Sequence, residues 1–270
     1  MADIDIDDLF AQTLQGDYDG DKPWYAVRLL HTIGTREVFD KAVKWTESDD
    51  PLLRARGLDV IAQIGKSARQ PSNRFPLESF DVVFKIAQCE RQVQPLASAI
   101  SALGHINDTR GVPLIAGFHS HLSEVIRFAV AFALGCSPNH PLSTQTLLTL
   151  MEDADDDVRD WATFAVGVQG DRDSSEIREA LSRRLNDDDT GAREEAILGL
   201  ANRHDPRVVP HLIDELEESS IGCRVVEAAC TLLGLETDRE QWSGEDYVRA
   251  LRERFPGMPL KRSGPAAPLQ

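Results

Sequence analysis

Basic residues are in short supply. The chain of 270 residues carries 29 Lys and Arg against 45 Asp and Glu, a formal charge of −16. A polyanion is bound through lysines and arginines that displace its counterions, so this balance excludes nucleic acid as the expected partner and admits a basic one. Cysteine is equally sparse. Cys89, Cys136, Cys223 and Cys230 form no C-x-x-C pair. Cys223 and Cys230 share one expected helix, and their seven-residue separation spans about 10 Å, too far for a disulfide. Free, buried thiols in a reducing compartment are the expectation. No apolar run approaches the roughly 18 residues that a membrane span requires. The start, M-A-D-I-D-I-D-D, is acidic and lacks the apolar stretch of a secretory signal. A cytoplasmic location follows as the expectation. Sustained period-two alternation is also missing, which excludes a sheet protein.

What the chain does contain is one pattern written repeatedly. Asp153 to Gly167 reads D-A-D-D-D-V-R-D-W-A-T-F-A-V-G. An acidic turn offers N-caps, with Asp157 or a neighbour accepting from free backbone N–H groups at the positive end of a helix dipole. Val158, Ala162, Ala165 and Val166 then fall on one helical face, and Gly167 suits a helix stop. The corresponding last positions are Gly34, Gly65, Gly104, Gly135, Gly167, Ala201 and Gly234, at gaps of 31, 39, 31, 32, 34 and 33 residues. Each such helix follows another amphipathic one, at residues 5–15, 36–48, 76–90, 110–120, 142–153, 174–187 and 206–218. A helical pair of this size cannot bury its apolar face alone, so neighbours must stack. The fold expected is all-α, an α-solenoid of about seven helix pairs with helical caps. Residues 66–75, K-S-A-R-Q-P-S-N-R-F, read as an exposed insertion loop, residues 244–255 as a closing helix, and residues 256–270 as a disordered tail after a single solenoid over 1–255.

The chain resembles the HEAT-repeat proteins of the PBS-lyase HEAT-like subtype. The resemblance rests on D-x-R-x-V-P at Asp108, Arg110, Val112 and Pro113, repeated at Asp205, Arg207, Val209 and Pro210. It rests also on Val158, Arg159, Ala162 and Gly167. More narrowly, D-V-R-D-W-A-T-F-A, E-E-A-I-L-G-L and D-P-R-V-V-P-H-L-I-D-E-L resemble the small bacterial YibA-like HEAT proteins. The resemblance implies a protein-interaction scaffold, in some relatives a suspected immunity protein encoded beside a toxin. It also implies that a turn Asp and a helix Arg bond between neighbouring repeats. The matching positions are Asp157 with Arg159, Asp189 with Arg193, and Arg127, while Arg54 and Arg224 stand out of register.

Motifs for chemistry are wanting. G-K-S at residues 65–67 has no strand before it, and Gly57 lies too far upstream for a phosphate loop. D-Y-D-G-D at residues 17–21 puts its glycine in the wrong place for a calcium loop and Arg28 where a glutamate belongs. The seven histidines include no H-E-x-x-H, and His119 and His121 point to different sides of a helix, so His119, His121 and His140 do not read as a metal site. No catalytic residue, cofactor or metal is expected.

Recognition is expected on the second helices, which in this family line the inner wall. Positions there not needed for stacking are Arg28, His31, Asp59, Ser98, Ser101, Phe128, Phe132, Asp160, Trp161, Phe164, Glu194, Glu195, Leu198, Glu227 and Thr231. Five acids stand against one arginine in that set, with four aromatics at its middle, which suits a groove for a basic protein or peptide. For Phe128 and Phe132, core and groove fit the pattern equally. The acidic turns, such as Asp153 to Asp157 and Asp187 to Asp189, fit helix capping or an acidic rail along one edge. Two other readings come from the resemblance: a phycobilin lyase-like subunit or chaperone, and a HEAT-like DNA glycosylase in which Asp160 and Trp161 would mimic an acid–aromatic pair. The charge of the groove opposes the glycosylase.

Overall fold

A computed structural model describes residues 5–67, 70–235 and 242–257. Those residues form fifteen α-helices and no strand. The expected tail lies outside the described residues from 258 onward. The chain divides into two compact units, Met1–Thr146 and Leu147–Gln270. The first holds α1 (Ile6–Gln12), α2 (Asp21–Ile33), α3 (Arg36–Thr46), α4 (Pro51–Ala62), α5 (Pro76–Cys89), α6 (Val93–Ile106), α7 (Val112–Ala116) and α8 (Glu124–Gly135). The division falls within α9 (Pro141–Leu150). The second unit holds α10 (Asp156–Phe164), α11 (Ser175–Arg184), α12 (Thr190–Asn202), α13 (Val209–Leu216), α14 (Cys223–Leu233) and α15 (Gly244–Arg254). Even-numbered helices pack side by side: α2 on α4, α4 on α6 and α6 on α8 in the first unit, α10 on α12 and α12 on α14 in the second. The helices α1, α3, α5, α7, α11 and α13 lie against α2, α4, α6, α8, α12 and α14, and α15 closes on α13 and α14. This is the stacked-pair solenoid that the repeat predicts. No described helix is long and apolar enough to cross a membrane.

Local chemistry starts most of the pairs alike. Asp50, Asp155 and Asp189 are N-caps of α4, α10 and α12, accepting from backbone N–H groups with their carboxylates. For α10 the cap is therefore Asp155; Asp157 lies in the first turn. Four residues after each cap stands an arginine: Arg54, Arg159 and Arg193, joined by Arg127 after Ser123. Each sends its Nη1 back to the two carbonyls that end the preceding turn. Arg159 reaches Asp153 O at 2.9 Å and Ala154 O at 3.2 Å, and Arg54 reaches Ser48 O and Asp49 O, both at 3.0 Å. Arg54 thus has the same role as the rest, contrary to its expected loss of register. Arg54, Arg159 and Arg193 also bridge to the next repeat: Arg54 to Glu90 at 2.7 Å, Arg159 to Asp187 at 2.9 Å and Arg193 to Glu215 at 3.4 Å. Burial works against the Asp187 carboxylate, yet hydrogen bonds from Arg159 and the Asp189 N–H hold it below its ordinary range. The D-x-R motifs are equally regular. Asp108 and Asp205 each cap a short 3-10 turn and take a two-pronged bond from the arginine two residues on.

Some of the repeated glycines are the helix stops that their spacing suggests, and others are not. Gly34, Gly65 and Gly234 do adopt positive φ. Gly104 and Gly167 instead lie within helical turns where neighbouring second helices touch. A Cβ on Gly104 would sit 2.6 Å from Ala133 Cα, and one on Gly199 would sit 2.7 Å from Gly167 Cα. Backbone cannot yield as a side-chain tip can. Gly199→Ala is therefore expected to destabilise the second unit by about 1–3 kcal/mol despite alanine's better helix propensity, read as a lower midpoint in urea unfolding. Gly167 is part of a π-helical turn, Ala165–Gln169, that follows α10. Arg203 is buried just after α12 and donates to the carbonyls of Val166, Gly167, Gly170, Arg172 and Gly199.

The insertion is also more structural than an exposed loop. Asn73 is buried, donates to Ile61 O at 2.8 Å and accepts from Phe75 N at 2.8 Å. Arg74 lies over Gly65 and donates to Gly34 O at 3.0 Å. Of the four thiols, Cys89 and Cys223 are exposed rather than buried.

Candidate binding face on the second helices

Counting from the N-caps puts the expected recognition residues in one register. The fifth, sixth and ninth residues after the cap are Phe128, Ala129 and Phe132 on α8; Asp160, Trp161 and Phe164 on α10; Glu194, Glu195 and Leu198 on α12; and Glu227, Ala228 and Thr231 on α14. The same count gives Ala55, Arg56 and Asp59 on α4, and Ala97, Ser98 and Ser101 on α6.

In the first unit this strip is occupied from within. Tyr18, in the turn before α2, places its hydroxyl 2.5 Å from Asp59 Oδ2 and 2.9 Å from Ser98 Oγ. Arg56 is 1% exposed, lies 3.8 Å under the Tyr18 ring, pairs with Asp59 at 3.2 Å and donates to the carbonyls of Thr13 and Tyr18. Burial pushes both the Asp59 carboxyl and the Tyr18 phenol upward. Asp59 and Ser98 are thus used internally, and His31 is buried with its Nε2 at 2.9 Å from Asp59 O. Phe132 is half-buried with His105 edge-on at 4.9 Å, and Phe128 is exposed. Burial, then the charges of Lys66 and His31, lower His105 to about 4.

In the second unit the acids converge. Trp161 and Phe164 are half-buried and meet edge-to-face at 5.6 Å. Arg224, two residues past the Gly222 cap of α14, reaches across to α12. Its Nε pairs with Glu195 Oε1, and its guanidinium lies 5.0 Å from the Phe164 ring centre. Glu195 is only 7% exposed. Burial first, then the charges of Asp160 and Glu194, raise its pKa to about 7 against the pull of Arg224. Burial likewise raises Asp160, helped by Asp189 and Asp157, and raises Glu194, helped by Glu215. Two carboxylate oxygens, Glu195 Oε2 and Asp160 Oδ1, are buried with no hydrogen-bond partner. The Asp160 and Glu194 carboxylates lean onto Gly191 and Gly222, at the starts of α12 and α14, where a Cβ would strike them. There they face the positive ends of those helices.

In the second unit, too, the structure removes a residue from the expected face. Leu198 is fully buried and is core, although its counterparts Phe132, Phe164 and Thr231 are half-buried. Glu227 is exposed. Tyr18 was not among the expected site residues, and Arg224 was named only as an arginine out of register with the repeat. For Arg224 a signal existed, since it stands one repeat beyond Glu195; for Tyr18 none did. The acidic turns are largely engaged in capping and in the arginine bridges. His119 and His121 bond locally through Nδ1, to Ala116 O and from Ser123 N. No group of three possible metal ligands exists among the described residues.

With that geometry in view, the comparisons with known proteins are specific. The sequence profile of HEAT repeats matches residues 85–167 and 144–234. Protein YibA of Escherichia coli (strain K12) is 26% identical over 234 residues, covering 84% of this chain and 80% of that protein. The X-ray structure of YibA superposes with a TM-score of 0.70 at 24% identity, over 96% of this chain and 93% of that one. An engineered protein superposes with a TM-score of 0.56 at 15% identity, over 93% of this chain and 72% of that one. At these identities the structural likenesses speak for the fold.

Proposed function

The chain belongs to the HEAT-repeat family, and from that premise we propose that it is a non-catalytic protein-binding scaffold whose second unit takes a basic segment of a protein partner. The observation that supports this reading is Glu195. A carboxylate under nine-tenths burial, crowded by Asp160 and Glu194, opposes folding whenever it is charged. A nearly dry carboxylate beside two half-buried rings is a group with which a cation from outside gains most, by Coulomb attraction and by contact with aromatic faces. Adaptor and immunity-type proteins would both use the face in this way. A cytoplasmic setting suits a chain with exposed thiols at Cys89 and Cys223.

The test uses the double variant Glu194→Lys/Glu227→Lys, which spares Glu195. Retention of the native partner on the immobilised chain is expected to fall by at least about tenfold, the weight of one lost charge-assisted contact or more. The melting temperature should drop by less than about 5 °C. Retention that is unchanged, or lost only in step with unfolding, would reject the reading.

A further inference from the structure

The second unit contains a cation already seated among its acids, and that cation belongs to the chain itself. Arg224 enters from α14, lies over Phe164 and bonds one oxygen of Glu195 through Nε. It leaves the other oxygen, Oε2, without a partner, and Asp160 Oδ1 nearby in the same condition. A guanidinium has five N–H donors in a flat fork. Approaching through Nε from a neighbouring helix, Arg224 satisfies one carboxylate oxygen where an end-on fork would satisfy two.

We propose that Asp160, Glu195, Trp161 and Phe164 form the seat for one arginine side chain of a polypeptide partner, a seat that Arg224 holds in the free protein. The inference rests on the basic-partner reading above and names the group recognised. The charge balance favours it: Asp160, Glu194 and Glu195 stand against Arg224 and, at Glu194, Arg193, while Asp157, Asp187 and Asp189 add negative charge at Asp160, so a second cation is attracted even before Arg224 moves. The incoming arginine gains what Arg224 lacks, a two-pronged bond to Glu195 and a donor for Asp160. The flat guanidinium also suits the edge-to-face ring pair, which presents an aromatic face to it. Arg224 has 30% of its side chain exposed, so it can swing to water without breaking the core. Lysine, a point charge with no fork, fits the pair of open oxygens less well.

The probe is N-acetyl-arginine amide added to the full chain, followed by the indole N–H resonance of Trp161. Saturable movement of that resonance is expected. The citrulline analogue, which has the same shape without the charge, should bind at least about tenfold more weakly, and Glu195→Gln should weaken the arginine probe by a similar factor. Arg224→Ala and Arg224→Gln should both bind it at least about threefold more tightly, because the internal competitor is gone; unchanged melting of the Gln variant guards against misfolding. Equal or weaker binding by both Arg224 variants overturns the proposal. So does equal binding of the lysine or citrulline analogue. Partner retention that depends on Glu194 and Glu227 while the arginine probe gives no response would sink this inference alone. Retention indifferent to those residues would sink the broader reading.

Discussion

Arg203→Met is expected to lower the unfolding free energy by about 3 kcal/mol or more, since it leaves several buried carbonyls without donors at once. The wild-type guanidinium makes six N–H···O bonds of 2.8 to 3.1 Å to five backbone carbonyls, those of Val166, Gly167, Gly170, Arg172 and Gly199. Two effects oppose each other here. Burial of the cation is unfavourable and pulls its pKa down. Against that stand bonds that use its full donor set. The π-helical turn Ala165–Gln169 and the close approach of Gly167 to Gly199 bring the carbonyls of Val166, Gly167 and Gly199 together, and these three belong to buried residues. Arg203→Lys should recover little, because one ammonium cannot reach five acceptors spread around a planar fork. Urea unfolding of the two variants checks this. A loss below about 1 kcal/mol would mean that water replaces the guanidinium at no great cost.

Arg203 also shows where sequence reading stops. The stacked helix pairs were legible because apolar periodicity and a cap repeat along the chain, and a cap is a local event. The glycines misled by the same locality. A glycine near a helix end reads as a stop, but Gly104 and Gly167 are small because another backbone lies against them, and that neighbour is about one repeat away in sequence. Counting from those glycines displaced Arg54. Counting from Asp50, Ser123, Asp155 and Asp189 restores it to the register of Arg127, Arg159 and Arg193. The face itself was partly legible. Asp160, Trp161, Phe164, Glu194 and Glu195 do share one register, because helical position is fixed by spacing. Whether such a position is open depends on what crosses it from elsewhere. Tyr18 covers Asp59 and Ser98 from 41 and 80 residues away, and Leu198 is fully buried. The insertion at 66–75 looked like solvent-exposed chain from its polar composition, yet Asn73 uses that polarity to satisfy buried backbone.

Glu195→Gln should make the protein more stable at pH 8 and poorer at its proposed task. The sign follows from the direction of the shift. Glu195 titrates at about 7 in the folded chain and near the ordinary glutamate value of 4.5 when unfolded. Between those values the folded state holds more protons, so stability falls as pH rises from 4.5 to 7 and is flat above. Glutamine imitates the protonated acid and removes that fall. At pH 8 the variant is expected to exceed wild type by about 1–2 kcal/mol, a value reduced for partial solvent screening, and at pH 4 to match it. The ion pair with Arg224 works the other way. Its arginine is 30% exposed and its carboxylate side chain 9%, and its attraction falls short of the burial it opposes, since the net shift of Glu195 is upward. Asp160 and Glu194 shift in the same direction as Glu195, so the difference between variant and wild type across pH, rather than either curve alone, isolates Glu195. Melting curves at pH 4, 6 and 8 supply it. A variant no more stable than wild type at pH 8 would show that the buried carboxylate is not a burden, and the case that it is there to meet a cation from outside would lose its physical ground. A variant that is more stable yet blind to the arginine probe is what a residue retained for binding at the expense of folding must give.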